Sequence, residues 1–278
     1  MPLIDGIQVP TWQDTAREVV KHLGITLSPE QSEIFYDDAR IKILCGGEGS
    51  SKSFMGSLYG VARSQHDAMA SSLLNTGFGN LYWVVGHDFE TARREFGSLE
   101  MDDMLLPWIR SLGDLNIDRT SAPARYDQPC VLQTKRYSQL FRTISGYDAQ
   151  KIGREEPTGI IGCEVSLWGE EIWERCYGRL ARLYPHSWGW FSGSPELNAG
   201  WFDELVNMGD HDNDRDIRSY HLPSWANPSV YPGGRQDPAI VQLEGSMSYD
   251  RFMRRHGGVI TAPTDRKGTR LNSSHVEI

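Results

Sequence analysis

The sequence has little of what would mark a secreted, metal-bound or membrane-spanning protein. Its four cysteines, Cys45, Cys130, Cys163 and Cys176, are scattered with no C-x-x-C pair, which argues against a zinc ribbon and against a disulfide framework. The eight histidines form no H-E-x-x-H or comparable ligand spacing, so a transition-metal site is not expected. No run of about 18 apolar residues appears, and Met1-Pro2-Leu3-Ile4-Asp5-Gly6 lacks the cationic start and apolar stretch of an export signal. A cytosolic protein without membrane contact is expected. Positive charge is also short: 28 Lys and Arg stand against 37 Asp and Glu, a net charge of −9. Any DNA contact must therefore be local or supplied by a partner. Repeats and long low-complexity segments are absent. What remains is 278 residues, 39% hydrophobic and with nine tryptophans, enough for one large α/β domain or two small ones with a substantial core.

The most informative stretch runs from Ile41 to Met55, an apolar strand entering a glycine-rich turn and then Lys-Ser. The phosphate-binding pattern G-x-x-x-x-G-K-[ST] is met from Gly46 to Ser53 at every fixed position but the second glycine, where Ser51 stands. The backbone N–H groups of residues 47 to 53 (Gly47, Glu48, Gly49, Ser50, Ser51, Lys52, Ser53) are expected to wrap the α/β-phosphates of ATP. Lys52 would reach the β/γ oxygens, and the Ser53 hydroxyl would ligate Mg²⁺. Phe54, Leu58, Val61 and Ala62 recur at helical spacing, so the loop opens a helix whose N-terminus faces the anion. A serine forced to positive φ at position 51 costs roughly 1–2 kcal/mol. The bland alternative is a glycine-rich turn with a solvated lysine.

Elsewhere, Thr11 to Leu23 reads as an amphipathic helix stopped by Gly24, and Ser28-Pro29-Glu30-Gln31 as a second helix start. Gln31 is a candidate contact for the adenine edge, because an amide both donates and accepts; on pattern alone it is more naturally an ordinary surface glutamine. Strands are predicted at 80–85, 131–134, 140–144, 159–165 and 188–191, with a helix from about Glu170 to Leu183. Strands separated by helices point to an α/β fold, a mostly parallel central sheet covered by helices on both faces.

The apolar run from Gly159 ends at Glu164, an acid placed to act in catalysis by orienting the attacking water or to help hold Mg²⁺. Cys163 stands where an aspartate is commonly paired with that acid, and a thiol does not replace a hard oxygen ligand. Glu170 and Glu171 are rivals, more naturally read as acids of a helix first turn. Ser192-Gly193-Ser194-Pro195 forms a small polar turn after a strand, a candidate sensor of the γ-phosphate that couples hydrolysis to movement. A surface glutamate and an ordinary S-G turn are the plainer readings of these two elements.

In these parts and their order the chain resembles the large terminase subunit of tailed bacteriophages. The resemblance rests on Leu27 to Gln31 ahead of Gly46 to Ser53, on Gly159 to Glu164, on Phe191 to Glu196 with Gly200-Trp201-Phe202, and on His221-Leu222-Pro223-Ser224-Trp225-Ala226-Asn227-Pro228. It spans about residues 27 to 262. It implies a P-loop ATPase that drives double-stranded DNA into a capsid, as a homo-oligomeric ring on the portal protein with a small terminase subunit, in the cytoplasm of the host cell. It also implies Gln31 as adenine contact, Lys52 and Ser53 as phosphate and Mg²⁺ residues, Glu164 as catalytic carboxylate, and Ser192, Gly193 and Ser194 as coupling turn.

The chain departs from the family pattern at Cys163 and at Glu48, which falls where many members carry an arginine. Arg93, Arg94 or a neighbouring subunit are the available sources of a replacement cation. The expected organisation is an N-terminal helical segment over 1–26, an ATPase domain over 27–262 ending in a lid-like segment, and a non-native tail over 265–278, whose residues Asp265 to His275 resemble a translated sequencing adapter. The nuclease domain of the family would lie beyond Ile278. Two alternatives stand beside a packaging motor: another P-loop DNA-dependent ATPase of helicase type, and a non-hydrolysing module that assembles under nucleotide control.

Overall fold

A computed structural model describes residues 3–4, 7–74, 81–97, 104–112, 117–121, 128–134, 137–148, 152, 155–195, 200–211 and 216–261. Two short strands, β1 (Leu3–Ile4) and β2 (Ile7–Gln8), pair antiparallel ahead of α1 (Trp12–His22). Thr11 caps α1, and α2 (Pro29–Tyr36) begins with a reciprocal cap. There Ser28 Oγ accepts from Gln31 N at 3.2 Å and Gln31 Oε1 accepts from Ser28 N at 2.9 Å, which satisfies donors that a helix start leaves open. β3 (Ile41–Gly46) then passes through the glycine-rich loop into α3 (Lys52–Leu74). The chain continues through β4 (Leu81–Gly86), α4 (Phe89–Phe96), α5 (Leu105–Ser111), β5 (Ile117–Ser121), β6 (Val131–Thr134), β7 (Leu140–Ser145), β8 (Gly159–Gly162), α6 (Glu170–Arg182), β9 (Trp188–Gly193), α7 (Gly200–His211), β10 (Ile217–Leu222), α8 (Pro238–Gly245) and α9 (Tyr249–Arg255). The proposed tail at 265–278 lies outside the described residues.

The main sheet has eight strands in the order β10-β3-β9-β8-β4-β7-β6-β5. Pairing is parallel from β10 to β7 and antiparallel across β7, β6 and β5. The turn of direction follows from length, since only residues 135–139 separate β6 from β7, too few for the crossover a parallel neighbour needs. The predicted mostly parallel α/β sheet is therefore present, with an antiparallel edge.

Side chains alternate across β3 and divide the core in two. Leu44 joins the cluster under α1, α2, α3 and α5, with Trp12, Phe35, Leu58, Tyr59 and Ile109; Ile41, Ile43 and Cys45 join the cluster under α6 and α7, with Ile172, Cys176, Leu180, Phe202 and Val206. Every residue of β3, β8 and β9 is buried, as expected where helices cover both faces. Lys42 is the exception in chemistry: fully buried, it donates to Ile34 O (2.8 Å) and Phe35 O (3.0 Å). It thereby satisfies carbonyls at the end of α2 and ties the helix that carries Gln31 to the loop strand. Burial pushes its pKa well down.

Two readings change. The strand predicted over 159–165 stops at Gly162, because the chain turns at Glu164 with φ 48°. β10 was not anticipated, since Ile217-Arg218-Ser219-Tyr220-His221-Leu222 places its apolar residues at 217, 220 and 222 and lacks strict alternation; it lies at the edge of the sheet, where polar residues are tolerated.

Candidate functional site

The three elements singled out in the sequence end on adjacent strands. Cys45 of β3 is level with Gly193 of β9, and Phe191 of β9 with Gly162 of β8. The glycine-rich loop, the Ser192–Ser194 turn and Glu164 thus meet at the carboxyl edge of the sheet, where open α/β sheets bind ligands.

A pocket of about 460 Å³ opens there, lined by Gln31, Gly49 to Phe54, Met104, Glu164, Thr26 and the segment Asn227 to Val230. A depression of about 650 Å³ beside Asp14, Arg17, His22 and Tyr137 is larger. It gathers none of these motifs, and the smaller pocket is where the chemistry converges.

The loop departs from a uniform phosphate wrap. Gly47 N donates to Leu222 O (2.9 Å), Glu48 N to Arg255 O (2.9 Å) and Ser50 N to Gly47 O (3.2 Å), so these donors are engaged within the protein. Among the described residues the N–H groups of Gly49, Ser51, Lys52 and Ser53 make no hydrogen bond, as a helix first turn dictates. These four are left to face an anion, with the helix dipole behind them.

Gly49 and Ser51 both take positive φ, 73° and 72°. The strain expected at Ser51 is present, and its hydroxyl is held on two sides: it accepts from Gln31 Nε2 at 2.7 Å and donates to Ser50 O. Gln31 therefore braces the loop. One amide hydrogen and one carbonyl lone pair remain to it for a base edge.

Lys52 is 8% exposed. Its Nζ donates to Gly47 O (3.1 Å), Gly46 O (3.4 Å) and Ser194 Oγ (2.9 Å). Lys52 of the glycine-rich loop and Ser194 of the polar turn are thus in direct contact. Ser192 Oγ donates to Gly162 O at 3.4 Å, joining the same turn to the end of β8, two residues before Glu164. A Cβ on Gly193 would lie 2.9 Å from Ser166 N, so glycine lets the turn after Glu164 pack close.

The His221–Pro228 cluster grips the loop. Ser224 Oγ donates to Glu48 O (2.5 Å), Asn227 Nδ2 to Gly49 O (2.8 Å) and Ser224 N to His256 O (2.7 Å). Glu48, the charge-reversed position, pairs with Arg255 Nε at 2.6 Å. Arg93 and Arg94 do not line the pocket.

One residue escaped the sequence reading. Glu95, on α4, is 2% exposed. Burial pushes its carboxyl up to about 8, opposed by the facing Cys163 thiol, reinforced by the Glu164 charge and opposed again by the Ser53 hydroxyl and Lys52. The signal was an acid three residues after Ala92 and next to Phe96, both fully buried, hence on the apolar stripe of an amphipathic helix. The Cys163 thiol is itself raised, first by burial and then by Glu95, and stays protonated.

The donors fit the groups the sequence implied. Lys52 and open N–H groups suit a polyphosphate, and the Ser53 hydroxyl and Glu164 carboxylate are hard oxygen donors of the kind Mg²⁺ selects.

No protein-family model and no curated protein sequence matches the chain. Solved structures share its fold. The large terminase ATPase domain of Thermus phage P74-26 superposes with a TM-score of 0.63 at 18% identity, over 86% of this chain and 96% of that one. A variant of the same domain gives 0.63 at 18% identity, over 87% and 97%. The large terminase of a thermophilic bacteriophage, in complex with ADP, gives 0.57 at 16% identity, over 84% of this chain and 53% of that one; its complex with ATP-γ-S gives the same values. This chain therefore spans about half the length of that terminase. The likeness is one of fold: a P-loop α/β sheet arranged as in large terminase ATPase domains.

Proposed function

We propose that this chain is the ATP-hydrolysing motor domain of a phage large terminase, which powers packaging of double-stranded DNA. The observation that carries the reading is the contact of Lys52 with Ser194 beside a pocket that also holds Ser53 and Glu164, on the fold of large terminase ATPase domains. Lys52 and the open N–H groups bind the phosphates; Gln31 braces the loop and presents its remaining amide hydrogen and lone pair to the base. Ser53, with Glu164 nearby, would hold Mg²⁺, which would supply charge neutralisation for the polyphosphate. Glu164 orients the attacking water and accepts its proton. Ser194 senses the γ-phosphate by exchanging its bond to Lys52, and the turn Ser192-Gly193-Ser194 passes that change to the sheet. In the assembled motor the partners are a ring of further copies, the portal protein, the small terminase subunit and DNA, in the host cytoplasm.

A non-hydrolysing assembly module is the second reading, favoured by Cys163 at the acid position. Turnover by the parent chain separates them, and two variants test the residues. Lys52→Ala is expected to lower Mg·ATP binding and to reduce hydrolysis by on the order of 10³-fold, the scale of losing one transition-state donor. Glu164→Gln is expected to bind ATP normally and hydrolyse it about 10²-fold more slowly. Unchanged turnover in Lys52→Ala sinks the phosphate-loop assignment. ATP binding without turnover in the parent chain, with DNA present, selects the assembly module.

A further inference from the structure

Glu95 is a buried carboxyl without an evident structural purpose, and its position is specific. Ser53, Gly56 and Ser57 lie at i, i+3 and i+4 on one face of α3, and Glu95 packs on that face. Ser57 Oγ donates to the Glu95 backbone carbonyl at 2.7 Å, and a Cβ on Gly56 would lie 2.9 Å from Glu95 Oε2. The Ser53 hydroxyl and the Cys163 thiol both face its carboxyl. The side chain thus reaches from the level of Ser57 toward the loop, over the one residue of that turn too small to obstruct it. Oε2 has no hydrogen-bond partner among the described residues, an arrangement that costs stability unless something else uses the oxygen.

Cys163 faces the same carboxyl from just beyond the end of β8, one residue before Glu164. A neutral thiol is a poor acceptor for the Ser53 hydroxyl and no ligand for Mg²⁺. We infer that Glu95 is the positioning carboxylate of the Mg²⁺ centre: it receives the Ser53 hydroxyl proton in a hydrogen bond, turns the Ser53 lone pairs toward the ion, and so supplies from α4 the acid that Cys163 does not. The inference rests on the phosphate-loop reading of the pocket. Outer carboxylates of this kind orient inner ligands and typically account for 10–100-fold in metal affinity. The competing view is a buried water joining Glu95 Oε2 to Trp190 Nε1, which is also unpartnered and lies 3.1 Å from the same Gly56 Cβ position. That water would hold the fold and leave metal binding alone.

The experiment measures binding of a fluorescent ATP analogue in EDTA and then over a Mg²⁺ titration, for the parent, Glu95→Gln, Ser53→Ala and the double variant. Glutamine keeps the shape and removes the carboxylate. In EDTA its affinity for the analogue is expected to match the parent, while the Mg²⁺ concentration for half-maximal tightening rises about ten-fold. Because Glu95 acts through Ser53, the double variant is expected to be no worse than Ser53→Ala alone. A parent-like Mg²⁺ response in Glu95→Gln, an equal loss with and without Mg²⁺, or additive losses in the double variant overturns the inference. If Glu95→Gln does not fold, Glu95→Asp is read in the same cycle, with the same rise expected because the shorter side chain withdraws from Ser53. A parent chain that binds the analogue under neither condition fails the phosphate-loop reading instead.

Discussion

The two flanks of the glycine-rich loop are held by different parts of the chain, and they differ in which donors they leave open. Gly46 to Gly49 is gripped by segments about 175 to 210 residues downstream: Leu222, Ser224, Asn227 and Arg255 bond to its backbone or to Glu48. Its N–H groups at Gly47 and Glu48 are spent on that grip. Ser50 to Ser53 is held from the other side by Gln31 on α2 and faced by Glu95 on α4, and its N–H groups at Ser51, Lys52 and Ser53 remain open. Under the proposed function the loop presents donors to an anion, and donors so used cannot also serve its own anchorage. The chain anchors one half through its donors and leaves those of the other half open.

The largest effect is expected from breaking the anchored flank. A Cβ on Gly47 would overlap the His256 carbonyl and stand 2.7 Å from Ser224 Oγ. The first obstacle is backbone, which yields only by moving α9 away. Gly47→Ala is expected to destabilise the fold by about 3 kcal/mol and to weaken ATP binding, read by urea unfolding and by nucleotide titration. Full ATP affinity in this variant would show that the grip of the C-terminal segment is dispensable to the loop.

That grip was only partly legible in the sequence. The loop itself, Lys52, Glu164 and the Ser192 turn were visible because local spacing and residue type define them. The mostly parallel sheet followed from the strand and helix pattern. His221 to Pro228 was visible as a family signature without a task, because bonds such as Asn227 to Gly49 join positions that no local pattern relates. Glu48 read as a lost cation; Arg255 opposite it explains the sign, and only folding brings the two together. Glu95 was overlooked because exposed acids on short helices are ordinary, and its burial depends on α4 packing against α3. β10 was overlooked because edge strands tolerate polar residues.

A moderate effect is expected at the root of the anchored flank. Arg40, just before β3, donates to both carboxylate oxygens of Asp216, just before β10, at 2.5 and 2.8 Å, and so sets the register that delivers Ser224 to the loop. The Arg40 hydrogen bond, against some burial, holds the Asp216 carboxyl below its ordinary range. The folded state therefore binds that proton less readily than the unfolded chain. The contribution to stability is complete above the ordinary aspartate value of about 4 and is lost as pH falls through the lowered folded value. Asp216→Asn is expected to lose about 1–2 kcal/mol at neutral pH, allowing for screening, and to converge on the parent in melts at progressively lower acid pH. A constant gap across the acid range would remove the ion pair from the account.

The smallest effect, and the sharpest comparison of the two flanks, is expected at Ser51 on the open side. Its φ of 72° costs a non-glycine residue roughly 1–2 kcal/mol. The hydrogen bond from Gln31 Nε2 at 2.7 Å returns about 0.5–1.5 kcal/mol. Ser51→Gly removes both the strain and the bond and adds freedom to the unfolded chain, worth about 0.5–1 kcal/mol; these terms nearly cancel, so stability within about 1 kcal/mol of the parent is expected. Ser51→Ala removes the bond and keeps the strain, so it is expected to fall below the parent by about 0.5–1.5 kcal/mol. Both are read by urea unfolding with nucleotide absent. An alanine variant as stable as the parent would mean that Gln31 does not brace the loop.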